Sequence, residues 1–474
     1  MVSLFSPLSV RKKIILASMS LLTVLLLSGF FTATFAFGSA SSSSSTPGVM
    51  SSPALTANQA LFSVVDPTRT SPFSPQNAPE HTTNCGVPFA NYWGPGTACG
   101  ACPTPGVDGF PNQPTVACWS SSFQLGPGVD YYSGNTTDNE KCPCTVPYAM
   151  IGANPRKSDT TTSVGVNIYA MNVNFGAGVP KFDGSANVSS TIASPLFKAD
   201  SNYGMGGAAK QYEDAMFRAE FWGYLQSSGD TNFNVALSTP STGPTFSFSM
   251  PSNSGTECTS SLYVAFHDGC GAVYCVTSGN KCVGPFFAVI DPVFFQYVIL
   301  QKAVDSVNIN PAALSIFLTS NIVLGDPLNP ANYCCIIGFH GWDQTGMLLN
   351  GKYFTFAWAS YTSPGIFSVP IDDVNALSHE IGEWMNDPWT NNALPYEWAA
   401  ITGPQYGCSN ILEVGDPLVG YVIPTNGYHP QDLAYFSWFA QQKVSIGFSK
   451  SGNQTTYDFL HILGSKPPRP NVCA

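Results

Sequence analysis

Charge is scarce in this chain. Asp, Glu, Lys and Arg make up 10% of its 474 residues, and only 18 of those are Lys or Arg. Histidine is scarcer still, with six copies. The shortage of cations excludes a nucleic-acid partner, because phosphate binding needs clustered Lys and Arg. A net charge of −11 points the same way. Outside the N-terminal stretch there is no continuous apolar run, so no later segment reads as a membrane crossing. No internal repeat is visible: "LGDPL" (Leu324–Leu328) and "VGDPL" (Val414–Leu418) echo each other, but Asp-Pro is ordinary turn chemistry. Nucleotide motifs fail as well. "GMLLNGKY" puts Tyr353 where a P-loop needs Ser or Thr, and no G-x-S-x-G nucleophile elbow occurs.

What is present begins with a leader. Arg11, Lys12 and Lys13 precede an apolar Ile14–Phe31, and small residues follow at Ala33, Ala36 and Ala40. That order is a secretory signal, cleaved after Ala36 or Ala40, or an uncleaved signal anchor. Losing the three cations takes the net charge from −11 to −14. Residues 1–36 thus read as the leader and 37–80 as a Ser/Pro-rich linker. A Cys-rich segment over 81–150 and a main domain over 151–474 complete the chain. The expected location is extracellular, periplasmic or the cell surface, with the membrane touched only through an uncleaved N-terminal segment. Fourteen cysteines in an exported chain imply disulfides. Six lie between Cys85 and Cys144, and "CGAC" (Cys99–Cys102) lacks the second pair that a four-ligand zinc site needs. Sequons at Asn135, Asn187 and Asn453 suit surface loops.

Periodicity along the main domain gives an α+β class. "SVGVNIYAMNVNF" (Ser163–Phe175) alternates as a strand, and Lys210–Leu225 reads as a helix. "VFFQYVILQKAVDSV" reads as a buried helix and "AALSIFLTSNIVL" as a strand. "YFTFAWAS" (Tyr353–Ser360) is an aromatic strand. After it, Asp372 or Asp373 is placed to cap a helix whose apolar stripe is Leu377, Ile381 and Met385. Pro388 stops that helix. A weaker amphipathic helix is expected over Gln431–Gln442.

The capped helix carries "SHEIGEWMNDPW", a His-Glu-x-x-Glu pattern. Residues four apart share a helix face, so His379 and Glu383 point at one spot, where an imidazole and a carboxylate can ligate zinc. Glu380 sits about 100° round the helix, placed to act as general base on an activated water. A third ligand is expected from "LEVGDPLVGY" (Leu412–Tyr421), either Glu413 or Asp416, with His429 and Glu397 as outsiders. A carboxylate-rich set also suits Mn²⁺ or Ca²⁺. The plain alternative is a surface helix whose acids are solvated. His340 in "GFHGW" is either a donor on the oxyanion side or a hydrogen-bonded turn histidine. Asp387 either caps the helix end or orients a ligand.

"CIIGFHGW", "YFTFAW", "HEIGEWMNDP" and "LEVGDPLVGY" follow one another in the order found in the phosphate-induced, exordium-like family of secreted proteins. Residues 334–421 resemble that family's core. They depart from it in Cys334 beside Cys335, and in Pro417 where the family pattern has Leu-Cys. The resemblance implies a zincin-like core, an aromatic edge strand followed by the HExxE helix; composition and cysteine content add a β-rich, disulfide-stapled N-terminal part to the α+β class. It implies that His379, Glu383 and one or both of Glu413 and Asp416 surround a metal, with Glu380 as base. The expected function is an exported, zinc-dependent, zincin-like metallopeptidase acting on an extracellular peptide, protein or cell-wall substrate. The alternative is a non-catalytic surface or wall protein with a structural or vestigial metal site.

Overall fold

The computed structural model describes most of residues 100–124 and 145–465, together with 49–53, 80–82 and 88–90. Within those spans 252–269, 343–352, 400–407 and several single positions lie outside the description. So do the expected leader, most of the expected linker, Asn135, Cys85 and Cys99. The chain divides into two compact units, Met1–Thr46 and Pro47–Ala474, and every described residue belongs to the second. Among the described residues no helix is long and apolar enough to cross a membrane.

The fold is mixed α+β and rich in strand. Its principal sheet runs in the order Phe246–Ser249, Thr161–Asn174, Ala313–Ser320, Thr355–Tyr361, Gly338–Trp342. The first four strands are parallel to their neighbours, and Gly338–Trp342 is antiparallel. Strand period decides which core each side chain joins. Val164, Val166, Ile168 and Ala170 enter one core, while Tyr169, Met171 and Val173 enter the other. At Asn321, with φ 51°, the chain leaves Ser320 and continues as Ile322–Gly325 in a second sheet. That sheet also contains Gly271–Ser278, Lys281–Ile290, Cys334–Ile336 and, inside the expected spacer, Val49–Pro53.

The aromatic strand does not lie at the edge. Thr355–Tyr361 pairs with Ala313–Ser320 on one side and Gly338–Trp342 on the other, and the latter takes the end position. Phe354, Phe356 and Trp358 face the second core, where Trp358 packs on Phe295 and Phe339. The opposite face carries Ala357 and Ala359 in the first core. Their small side chains let the motif helix, Asn375–Asn386, sit close against this strand and against Gly338–Trp342.

All twelve residues of the motif helix are buried, so it is not a surface helix. Leu377, Ile381 and Met385 are at most 2% exposed, which contributes roughly 2 kcal/mol each. The cap differs from expectation. Val374 occupies the N-cap with no side-chain bond, while Asp373 stands at φ 46° and its carboxylate accepts from the Val374 and His429 backbone N–H groups. The helix ends as expected before Pro388, with Asp387 extended at φ −146°. Beyond it the Asp387 carboxylate accepts from Asn391 and Asn392 N–H, so Asp387 fixes the loop. Asn392 then bridges Asn386 O and Ala149, tying the helix end to the strand Thr145–Ile151.

Other elements match in outline. The helix expected over Lys210–Leu225 is two, Tyr212–Glu220 and Trp222–Ser228, divided at Phe221. The buried helix spans 292–305 with a wide turn over Phe295–Leu300. Gln431–Gln442 yields only Phe436–Phe439. There the backbone is tied sideways: Ala434 and Tyr435 N–H bond Val414 and Tyr457 carbonyls. The Asp432 carboxylate takes N–H groups of Leu433, Phe459 and Leu460. Disulfides join Cys102 to Cys118 and Cys275 to Cys282, and Cys270 and Cys335 are also disulfide-bonded.

Candidate metal centre

Three segments converge on one buried pocket: the motif helix, the edge strand Gly338–Trp342 and the turn Leu412–Leu418. The helix supplies His379, Glu380 and Glu383, which are 4%, 2% and 0% exposed. The strand supplies His340, and the turn supplies Glu413 and Asp416, all at most 3% exposed. His379 Nε2 lies 3.1 Å from Glu383 Oε1 and 3.6 Å from Asp416 Oδ1. His340 Nδ1 lies 3.3 Å from Glu383 Oε2, 3.6 Å from Glu380 Oε2 and 4.0 Å from Glu413 Oε2. His340 is therefore a strand residue inside the site and not a hydrogen-bonded turn histidine. Neither of its ring nitrogens has a hydrogen-bond partner, and the same holds for His379 Nε2, Glu380 Oε2 and Glu383 Oε2.

Two donor sets result, each with its ligand atoms within 4.8 Å of one another: His379, Glu383 and Asp416, and His340, Glu383 and Glu413. Both expected third-ligand candidates are present, one in each set. The 3₁₀ turn Asp416–Leu418, with Pro417 in its first turn, holds Asp416 beside the helix. His429 stands elsewhere. Its Nδ1 is 2.8 Å from both Asp372 Oδ1 and Asp373 Oδ2, in a third, partly exposed group. Glu397 lies on the strand Ala393–Ala399, and its side chain is outside the described residues.

Glycines shape the pocket, and nothing in the sequence reading singled them out. A Cβ on Gly415 would lie 2.6–2.7 Å from three atoms of the His379 ring, and one on Gly338 would lie 2.4 Å from Glu380 Oε1. Gly338 and His340 are two apart on one strand, so both face the helix. That alternation is the signal that could have found Gly338. Gly415 is held in place because its N–H donates to Glu383 Oε1 and its carbonyl accepts from Gln431 Nε2. Gln431 N–H in turn donates to Ser378 Oγ, one residue before the motif histidine.

The electrostatics are those of groups forced together out of water. Burial opposes charging His379, but Glu383 beside it, with Glu380 and Asp416, raises its pKa to about 10. Burial likewise opposes charging His340, and Glu380 and Glu383 raise it to about 10. Burial raises Glu380 to about 7 against the pull of His340 and His379. For Glu383 burial is outweighed by His379 and His340, which bring it to about 2. Four carboxyl groups face two imidazoles, and an uncompensated buried charge is costly. A divalent cation fits this donor set: imidazole nitrogens and carboxylate oxygens suit zinc, and the unpartnered nitrogens and oxygens are the atoms that would bind it. Comparison with protein-family models, curated proteins and solved structures finds no match.

Proposed function

We propose that this chain is an exported, metal-dependent hydrolase of zincin type that cleaves peptide bonds, with His379, Glu383 and Asp416 holding the ion and Glu380 as general base. The observation that carries this reading is the buried convergence of His379 Nε2 with Glu383 Oε1 at 3.1 Å and Asp416 Oδ1 at 3.6 Å, His379 Nε2 lacking a hydrogen bond. The order of segments over 334–421, similar to the exordium-like family, supports it. So does an antiparallel edge strand lying against the motif helix. The leader and the disulfides support an oxidising, extracytoplasmic setting.

When bound, zinc supplies Lewis-acid polarisation and lowers the pKa of a coordinated water toward 7. Glu380 takes the proton. Burial holds its carboxyl above the ordinary carboxylate value, which suits a group that must accept that proton and return it to a leaving amine. Gly338 leaves the room in which the Glu380 carboxylate sits. Gly415 N–H donates to Glu383 Oε1, which orients the ligand before any substrate arrives.

One observation favours a second reading. The six groups are at most 4% exposed, and closed sites are typical of structural metals. On that reading the ion holds the turn 412–418 to the helix of a non-catalytic surface or wall protein. Glu380→Gln separates the two. Under the hydrolase reading the variant keeps its metal and loses cleavage of a casein or peptide panel, by at least 100-fold. Unchanged cleavage, or no metal in the purified wild-type protein, overturns it. A chelator-induced drop in melting temperature with no cleavage of any panel member establishes the structural reading instead.

A further inference from the structure

Glu383 belongs to both donor sets, and it does so through different oxygens. Its Oε1 faces His379 Nε2 at 3.1 Å on the Asp416 side. Its Oε2 faces His340 Nδ1 at 3.3 Å on the Glu413 side. Each set offers one imidazole, one carboxylate of its own and one oxygen of the shared glutamate. A carboxylate that turns its two oxygens toward two separate sets of ligands is arranged as a bridge between two ions. We infer that the pocket is a dinuclear site for two divalent transition-metal ions, bridged by Glu383. One is held by His379 and Asp416, the other by His340 and Glu413.

Two features beyond the acidic cluster point to the second ion. His340 is 2% exposed, and both ring nitrogens lack hydrogen-bond partners. A buried histidine with neither nitrogen bonded forfeits hydrogen bonds on both edges of the ring, and an ion at Nδ1 restores one of those interactions. The second feature is charge. Ligation requires neutral imidazoles and ionised carboxylates, so Glu383, Glu413 and Asp416 bring three negative charges into a pocket at most 4% exposed, and Glu380, which must be ionised to act as a base, adds a fourth. One divalent ion leaves two of these charges uncompensated, whereas two ions balance all four. Hydrolytic two-metal sites divide stabilisation of attacking and departing oxygens between their ions. The second ion would sit beside Glu380, whose Oε2 is 3.6 Å from the same His340 nitrogen.

This inference rests on the metal-site reading above, and stoichiometry separates the two. Metal-free full-length exported protein is titrated with zinc sulfate, desalted, and its metal counted by plasma mass spectrometry. Two equivalents are expected in the wild type, with one in His340→Ala and one in His379→Ala. Loading with Mn²⁺ should give the broadened, exchange-coupled paramagnetic spectrum of an adjacent pair, a measurement on the wild type that needs no variant to fold. One equivalent at saturation, unchanged in His340→Ala and with an isolated-ion Mn²⁺ spectrum, overturns the dinuclear site and leaves the hydrolase reading standing. No bound metal overturns both.

Discussion

Gly415→Ala isolates the geometry of the site from its chemistry. At φ −79° and ψ −35° the backbone of residue 415 is one that alanine adopts freely, so no conformational strain is introduced. The added Cβ would stand 2.6 Å from His379 Nδ1, whereas ordinary contact begins at 3.4 Å, so something must yield by about 0.8 Å. Residue 415 cannot retreat, because its N–H is bonded to Glu383 Oε1 at 3.1 Å and its carbonyl to Gln431 Nε2 at 2.7 Å. The imidazole must move. Functional geometries tolerate about 0.5 Å, so the shift removes Nε2 from productive ligation. We expect zinc affinity to fall about 10–100-fold, the usual effect of disturbing a ligand's support, which is ~1.4–2.8 kcal/mol. The metal-free variant should remain folded, with an overpacking cost of ~1–3 kcal/mol. Zinc competition against a chromophoric chelator measures the first quantity and urea unfolding of the metal-free protein the second. Gly341→Ala is the control, since its Cβ would meet nothing closer than 3.6 Å. A Gly415→Ala variant binding zinc within twofold of wild type would refute the reasoning.

Gly338→Ala acts on the base alone. Its Cβ would lie 2.4 Å from Glu380 Oε1 and 2.7 Å from Glu380 Cγ, so cleavage should fall at least tenfold while zinc content by mass spectrometry stays at the wild-type value. Equal losses of metal and activity would contradict that role. Glu220, buried on the neighbouring helix, gives a pH effect away from the proposed ligands. Burial raises it to about 8 against a bond from Phe436 N–H. A raised acid contributes stability that is complete below its unfolded value near 4.5 and is lost as pH rises through about 8. Wild type should therefore lose stability relative to Glu220→Gln between pH 5 and pH 9, by at most ~5 kcal/mol at 1.36 kcal/mol per unit. Urea unfolding at three pH values tests this, and parallel curves for the two proteins would count against it.

Much of this architecture is legible because strand and helix periods are local. Val164, Val166 and Ile168 declare one sheet face, and Leu377, Ile381 and Met385 mark the buried stripe that fixes how the motif helix lies. The pairing of His379 with Glu383 follows from the helical repeat alone. What escaped the sequence depends on contacts between distant segments. "YFTFAWAS" reads as a strand, but nothing in it says that Gly338–Trp342, earlier in the chain, pairs outside it and takes the edge. The helix expected over Gln431–Gln442 has the right periodicity. It is overridden because its N–H groups bond residues such as Val414 and Tyr457 instead. His340 was visible as a residue yet not as a partner of Glu383, since strand and helix are joined only through the tertiary packing of the edge. Gly415 and Gly338 are silent in sequence because a glycine that makes room for a side chain looks like any turn glycine.

The position that breaks the familiar His-x-x-x-His spacing acquires a physical reason under the dinuclear proposal. An imidazole at 383 has two nitrogens on opposite edges of a ring and usually commits one to a supporting hydrogen bond, leaving one for an ion. Glu383 has two oxygens on one carbon. One takes the Gly415 N–H and still faces His379, while the other points to His340. The side chain can thus be supported, ligate in one direction and bridge in another. The same exchange puts a further negative charge into the pocket, and that charge must be neutralised for the helix to be buried on every side. Metal binding is then coupled to folding: at a thousandfold excess over Kd one ion adds about 4 kcal/mol to the folded state. A carboxylate at 383 thus makes the pocket more dependent on its ions for stability while giving it the means to hold two.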